Sequence, residues 1–216
     1  VKRVLVTGFE PFDGESINPA WEVARRLDGW RSGSHAVVAR RLPCAFGAVR
    51  DALDHELTAL APEIVICVGQ AGGRVDVSLE RIAINVDDAR IADNDGAQPI
   101  DRPVVAGAPA AYFTTLPVKA ILQRLRRAGL PAQVSNTAGT FVCNHTFYVL
   151  RHLAETTHRG VHRAGFIHIP YLPEQAARHP GSPSLALDTL IAALRIAIET
   201  SIEVSDDIQL AAGALH

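Results

Sequence analysis

Three short stretches constrain this chain most: residues 3–7 (RVLVT), 63–68 (EIVICV) and 164–169 (AGFIHI) are apolar almost without alternation. A strand that is apolar at successive positions must be covered on both faces, as strands are in a parallel sheet flanked by helices. Helical stretches lie between them. Asn18 and Pro19 offer a cap and a proline-first helix running to about Leu27. A second helix spans 45–60 and is broken by Pro62. A third spans 118–128, with Gly129 as its stop. Val142, Thr146, Val149, Leu150 and Leu153 share one face of a helix reaching about Thr157, and the last long helix covers 184–202. Further strands are expected at 36–42, 75–86 (or a hairpin arm) and 133–135. From 87 to 116 the pattern weakens around Gly96, Pro99, Pro103, Gly107 and Pro109, which marks either a functional loop or short elements that periodicity does not resolve. The predicted fold is one α/β domain over residues 1–216, a mainly parallel twisted sheet with helices on both faces, an α/β/α sandwich.

Composition narrows the class. With 21 basic and 23 acidic residues in 216, the net charge is −2 and argues against a surface built for nucleic acid. No apolar stretch approaches the roughly 18–20 residues of a membrane span. Residues 1–9 run straight into Glu10 and Asp13 and read as a strand, not a signal peptide. Three cysteines, an odd number, suit a reducing compartment better than a disulfide framework. The reading is a soluble intracellular protein. No HExxH, CxxC or acidic cluster with ligand spacing points to a metal, and the glycines of 69–74 precede extended chain, which argues against a dinucleotide or phosphate loop.

The cysteines differ in setting. Cys67 lies inside an apolar strand and Cys44 follows Pro43 at a strand end, so both read as core. Cys143 follows a small-residue turn, SNTAGTFVC, that feeds a helix. With Thr140 as cap, Cys143 would sit in the first turn, where amide groups and the macrodipole lower a thiol pKa. A nucleophile and a small buried residue both fit that position.

A nucleophilic cysteine needs a base, and nine histidines compete. His145 is two residues from Cys143 on the same helix, so it points elsewhere and packs or caps. His35, His55, His152, His158, His162, His179 and His216 stand in polar surroundings typical of surface. His168 is alone on an apolar strand, close to where Pro170 ends it, and reads either as a satisfied core residue or as the base. The strand-end rule for open parallel sheets favours the second reading: Gly8 and Phe9, Gly69 and Gln70, His168, and Cys143 after the 133–135 strand would gather along one edge. Glu80, in an otherwise apolar alternating segment, needs a partner to offset desolvation, either Arg81 or a histidine. It fits a structural salt bridge or an orienting acid. Asp87 and Asp88, its rivals, read as loop ligands or caps. On these residues alone a cysteine hydrolase, a redox thiol and a non-catalytic binding module all remain open.

Five stretches then carry a resemblance. Residues 6–19 (VTGFEPFDGESINP), 69–94 (GQAGGRVDVSLERIAINVDDARIADN), 134–144 (VSNTAGTFVCN), 112–119 (YFTTLPVK) and 166–173 (FIHIPYLP) resemble the pyroglutamyl peptidase I, or pyrrolidone carboxyl peptidase, family of cysteine exopeptidases. The resemblance implies Cys143 as nucleophile, His168 as base and Glu80 as orienting acid. It also implies that Arg90 lies beside the reacting carbonyl. Phe9, Phe12, Ile91, Phe141 and Val142 would line a ring pocket, with Asn18 and Gln70 as its polar contacts. It implies a cytoplasmic enzyme without metal or cofactor, commonly a homotetramer, whose partners are peptides with an N-terminal pyroglutamyl residue and neither nucleic acid nor membrane. Thr146 and Phe147 depart from the bulkier aliphatic residues expected after Asn144 and His145. The sequence places no acid beside the ring.

Overall fold

The structure is a computed structural model that describes residues 1–213; His216 lies outside them. In chain order the elements are β1 (Lys2–Phe9), α1 (Pro19–Leu27), β2 (Arg31–Ser32), β3 (His35–Leu42), α2 (Phe46–Leu60), β4 (Ile64–Gln70), β5 (Val77–Glu80), β6 (Ile82–Ile84), β7 (Ala111–Phe113), α3 (Val118–Arg127), β8 (Ala132–Ser135), α4 (Val142–Thr156), β9 (Arg163–Ile169), α5 (Pro173–Ala176) and α6 (Leu187–Glu203). Seven strands form one sheet in the order β2-β3-β1-β4-β9-β5-β8. The run β3-β1-β4-β9 is parallel, and so is β5-β8, but β5 meets β9 antiparallel. This is the expected single-domain α/β fold with a mostly parallel sheet.

Burial explains the two-faced strands. Val4, Val6, Ile64, Ile66, Ile167 and Ile169 face a core closed by α1, α3 and α6. Leu5, Val65, Cys67, Ala164 and Phe166 face a second core closed by α2 and α4. Each central strand therefore feeds apolar side chains to both layers, which is why its sequence shows no alternation. Asn18 caps α1 as expected, its side chain accepting from the Ala20 amide at 3.0 Å.

The 75–86 stretch does not form one strand. It breaks at Arg81, whose amide donates to Ser135 while its carbonyl accepts from Thr114, so β5 stays in the main sheet and β6 leaves to pair with β7. The 87–116 segment is irregular apart from β7 and is fastened by side chains. Asp93 accepts from the amides of Phe46, Asp95 and Ala97. Asn85 bridges to Val105 and Ala108, and Asn144 to Ile84 and Val86. Buried amides and carboxylates that satisfy backbone groups substitute here for a ladder. Periodicity could not disclose them.

Candidate active site

The site begins with two polar side chains on the α2/α4 face of the sheet. On β9, Ala164 and Phe166 point to that face and Ile167 and Ile169 to the other, so His168 shares the face of Phe166. On β5, Val77 and Leu79 point the other way, which leaves Glu80 with His168. Antiparallel register sets Ser78 against His168, and the Glu80 side chain closes the remaining gap: His168 Nδ1 is 2.8 Å from Glu80 Oε1. A carboxylate only accepts, so this contact places the ring proton on Nδ1 and leaves Nε2 with a free lone pair.

Glu80 is fully buried and His168 is 4% exposed. Of the two partners expected for this carboxylate the histidine is present and Arg81 is not; the cation beside it is Arg74, whose Nη1 lies 2.6 Å from the same Oε1. Arg74 also donates from Nη2 to the Thr137 carbonyl at 2.9 Å. It thereby ties the acid to the segment leading into α4. Arg74 gave no signal beyond its place in a glycine-rich stretch, because its reach across 63 residues is a product of packing.

Cys143 is the second residue of α4. Thr140 does not cap this helix. Phe141 occupies the cap position with no side-chain hydrogen bond, while the Thr140 hydroxyl donates to the Asp88 carbonyl at 2.7 Å and its own carbonyl accepts from the Asp88 amide. The first-turn amides are left without a side-chain acceptor. The thiol lies against β4: a Cβ built on Gly69 would be 2.8 Å from Cys143 Sγ, and Gly69 is the register partner of His168.

The strand-end argument explains only part of this meeting. It holds for Gly69, Gln70 and His168 on parallel β4 and β9, but β8 runs opposite to β9, so its carboxyl end lies toward the other edge. Residues 136–141 carry the chain back before α4 starts.

Protonation follows burial. Burial pushes the Cys143 thiol well above its ordinary value, helped by neighbouring Cys44 and the Glu80 charge and opposed by Arg74. The direction is opposite to the lowering expected from the helix start. Burial also holds His168 below its ordinary value, against the pull of Glu80 and with the push of Arg74. Both shifts favour the neutral forms of the pair, thiol and imidazole. Cys44 and Cys67 are core residues whose thiols burial pushes up to about 12.

Five of the other histidines are engaged elsewhere. His145 is buried, with Nδ1 2.8 Å from Asp87 Oδ2 and its ring edge-on to Phe46. Asp87 is thus a partner of a structural histidine. Several supposed surface histidines are covered: His35 is 8% exposed, His152 stacks on Tyr148, and His158 pairs with Asp54 at 2.6 Å. His179 stacks on Tyr171 and lies 2.6 Å from Glu15.

A cavity of about 330 Å³ opens nearby. Of the expected pocket residues it brings together Phe12, Gln70, Arg90, Ile91 and Phe141. Phe12 and Phe141 stack obliquely at 6.1 Å. Phe9, Asn18 and Val142 do not line it. Phe9 packs on Phe166 and Val142 is fully buried, both behind the wall. The Asn18 amide is spent at both ends, its oxygen on Ala20 and its nitrogen on the Glu10 carbonyl. The rest of the wall was not foreseen: Asp13, Glu15, Gly72, Asp88, Thr140, Tyr171 and His179. Among the described residues, no group of three or more His, Cys, Asp or Glu is arranged to hold a metal ion, and no helix is long and apolar enough to cross a membrane.

The chain is similar to known proteins along almost its whole length. A model of the pyroglutamyl peptidase family matches residues 2–204. The pyrrolidone-carboxylate peptidase of Cupriavidus taiwanensis is 61% identical over 213 residues, spanning 99% of both chains. Pyrrolidone-carboxylate peptidase 1 of Ralstonia nicotianae is 60% identical over 214 residues, again with 99% of both covered. Among solved structures, pyroglutamyl peptidase I from Bacillus amyloliquefaciens superposes with a TM-score of 0.94 at 47% identity, covering 97% of this chain and 99% of that one. A mutant pyrrolidone carboxyl peptidase from the hyperthermophile Pyrococcus furiosus gives a TM-score of 0.90 at 44% identity, covering 93% and 98%.

Proposed function

This chain belongs to the pyroglutamyl peptidase family, and on that premise we propose that Cys143, His168 and Glu80 are the groups with which it hydrolyses the bond after an N-terminal pyroglutamyl residue. The enzyme is a cysteine-type hydrolase. One observation carries the assignment of residues: His168 has its Nδ1 on Glu80 while its register partner, Gly69, lies against the Cys143 sulfur.

The chemistry follows from the protonation states. Sγ of Cys143 attacks the acyl carbon, and its proton passes to His168 Nε2 as the S–C bond forms. The oxyanion draws on the uncapped amides at the start of α4. His168 returns the proton to the departing nitrogen as the C–N bond breaks, leaving a thioacyl-enzyme. Water, deprotonated by His168, then attacks the thioester, and pyroglutamate leaves with the thiol restored. Glu80 remains a carboxylate throughout and holds the imidazole by Nδ1. Arg90 and the aromatic wall of Phe12 and Phe141 receive the substrate, and Gln70 supplies a polar contact to the ring.

The same reading takes the enzyme to be cytoplasmic and a homotetramer. Its three free cysteines fit a reducing compartment, and the family resemblance supports the assembly. A sensor thiol fits less well, because it needs an exposed thiolate, and burial opposes ionisation of Cys143. The test is hydrolysis of a pyroglutamyl amide by the wild-type protein and by Cys143→Ser, with iodoacetamide titration of the active thiol. Loss of turnover in Cys143→Ser, with Cys44→Ser and Cys67→Ser still active, is expected. Wild-type turnover in Cys143→Ser would overturn the nucleophile.

A further inference from the structure

Behind the polar half of the cavity lies a fully buried carboxamide, Gln175, in the short helix α5. It touches no cavity space itself. Its oxygen accepts from the Leu172 amide at 3.2 Å. Its NH2 group, with two hydrogens, faces three acceptors: Gln70 Oε1 at 2.9 Å, Glu15 Oε2 at 3.1 Å and, farthest, the Ile17 carbonyl at 3.4 Å, so one hydrogen is shared. Gln70 does line the cavity.

An amide side chain can be turned end for end, so its polarity has to be set by groups that cannot reverse. Gln175 has three such neighbours. The Leu172 N–H only donates, the Ile17 C=O only accepts, and Glu15 only accepts while it is ionised. Burial works against that ionisation, but hydrogen bonds from His179, Gln175 and Arg178, together with the charge of Arg178, hold the Glu15 carboxyl below its ordinary value. With both ends of Gln175 fixed, its nitrogen is the only face it can show to Gln70. Gln70 must answer with its oxygen, which turns its NH2 group to the cavity.

We propose that Gln175 is a positioning residue for specificity: it locks the Gln70 carboxamide so that only N–H donors face the ring, and thereby selects a ring bearing a carbonyl acceptor. This rests on the reading of the cavity as the pyroglutamyl site and adds the residue that sets its polarity. A free Gln70 could present either end and would accept a ring donor as readily as a ring acceptor. A locked one cannot. The lock starts at Glu15, whose oxygens also engage Arg178 and His179, so the polarity of the pocket is built from a loop, a strand end and a short helix together.

The experiment uses 2-pyrrolidone, a neutral ring with one C=O and one N–H, as a competitive inhibitor of pyroglutamyl amide hydrolysis. Gln175→Met should raise the Ki of 2-pyrrolidone and the substrate KM about tenfold, roughly the worth of one hydrogen bond. kcat should move far less, and iodoacetamide, which has no ring to bind, should alkylate Cys143 at the wild-type rate. The double variant Gln70→Met/Gln175→Met should be no worse than Gln70→Met alone. Unchanged Ki and KM in a folded Gln175→Met protein, or additive losses in the double variant, would overturn the proposal. If Gln175→Met does not fold, Glu15→Gln carries the test, since it replaces the nearer of the two one-way acceptors by a carboxamide that can reverse, leaving only the longer contact to Ile17. It should raise Ki about threefold, the low end for one hydrogen bond, and no change overturns the lock. A wild-type protein that neither cleaves the amide nor is inhibited by 2-pyrrolidone overturns the functional reading and this inference with it. A wild-type protein that does both, with variants that match it, overturns the inference alone.

Discussion

Gly69 and Cys143 are packed so closely that no side chain fits between them: a Cβ at position 69 would stand 2.8 Å from Cys143 Sγ and 2.7 Å from the Phe166 ring. Phe166 is fully buried and cannot give way freely. The strand end that carries the register partner of His168 is therefore also the floor on which the thiol rests.

Gly69→Ala should displace the sulfur while leaving Cys143, His168 and Glu80 themselves unsubstituted. A displacement of even about 1 Å at the reacting atom costs on the order of 10²-fold, so kcat/KM should fall by at least tenfold in a protein that still folds. Overpacking should also lower stability by roughly 1–3 kcal/mol. Circular dichroism, thermal unfolding and steady-state rates check both. Wild-type kcat/KM would mean that the thiol has room to move without consequence.

His168→Ala should cost at least ~10²-fold in rate, the low end for losing a general base. His145→Ala removes the partner of Asp87 and should lower stability while leaving the pH profile of turnover in place. In the wild type the acid limb of kcat/KM should fall below the ordinary histidine value of 6.5, because burial favours the neutral ring. Glu80 works against that shift, so Glu80→Gln should move the limb to still lower pH as well as slow the reaction. A limb that moves upward in Glu80→Gln, or a His145→Ala loss exceeding that of His168→Ala, would reverse the assignment of the base.

The buried thiols make a prediction about alkaline stability. Burial raises Cys67 from 9.0 to about 12 in the folded chain, while an unfolded thiol keeps its ordinary value. Between these values the folded state binds the extra proton, so stability falls as pH rises above 9, by about 1.4 kcal/mol per pH unit for each such group. Urea unfolding between pH 7 and 10 should show this slope, and Cys67→Ala should flatten it by roughly one proton. An unchanged slope in Cys67→Ala would remove Cys67 from that balance.

Specificity should follow the ring carbonyl. Pyroglutamyl-Ala, Pro-Ala and Gln-Ala differ in whether a ring C=O meets the N–H groups of Gln70. The sequence placed no acid beside the ring, but Asp13, Glu15 and Asp88 line the cavity, so the proline ammonium has a carboxylate within the same walls. For Pro-Ala discrimination then rests on the missing acceptor, which leaves a donor unpaired, and for Gln-Ala, which keeps a carboxamide, on its open chain and added ammonium. kcat/KM for Pro-Ala and Gln-Ala should lie at least ~10²-fold below pyroglutamyl-Ala in one enzyme preparation. Pro-Ala within tenfold would show that the cavity reads ring shape alone.

The sequence by itself determined the central strands and the long helices, their two-sided burial, a cysteine at a helix start, and the polar residues stranded in apolar strands, His168 and Glu80. It could do so because burial imposes a local period that neighbouring residues record. Only the tertiary structure decided which polar group meets which: that β5 opposes β9 and turns Glu80 onto His168, that Arg74 and not Arg81 neutralises Glu80, that His145 goes to Asp87, and that Asn18 is spent on a helix cap while Gln175 locks Gln70. These partners lie up to 105 residues apart, in the case of Gln70 and Gln175. Each polar group could have been satisfied by several others of like chemistry. The choice among them was made by the packing of strands and helices, which no local pattern encodes.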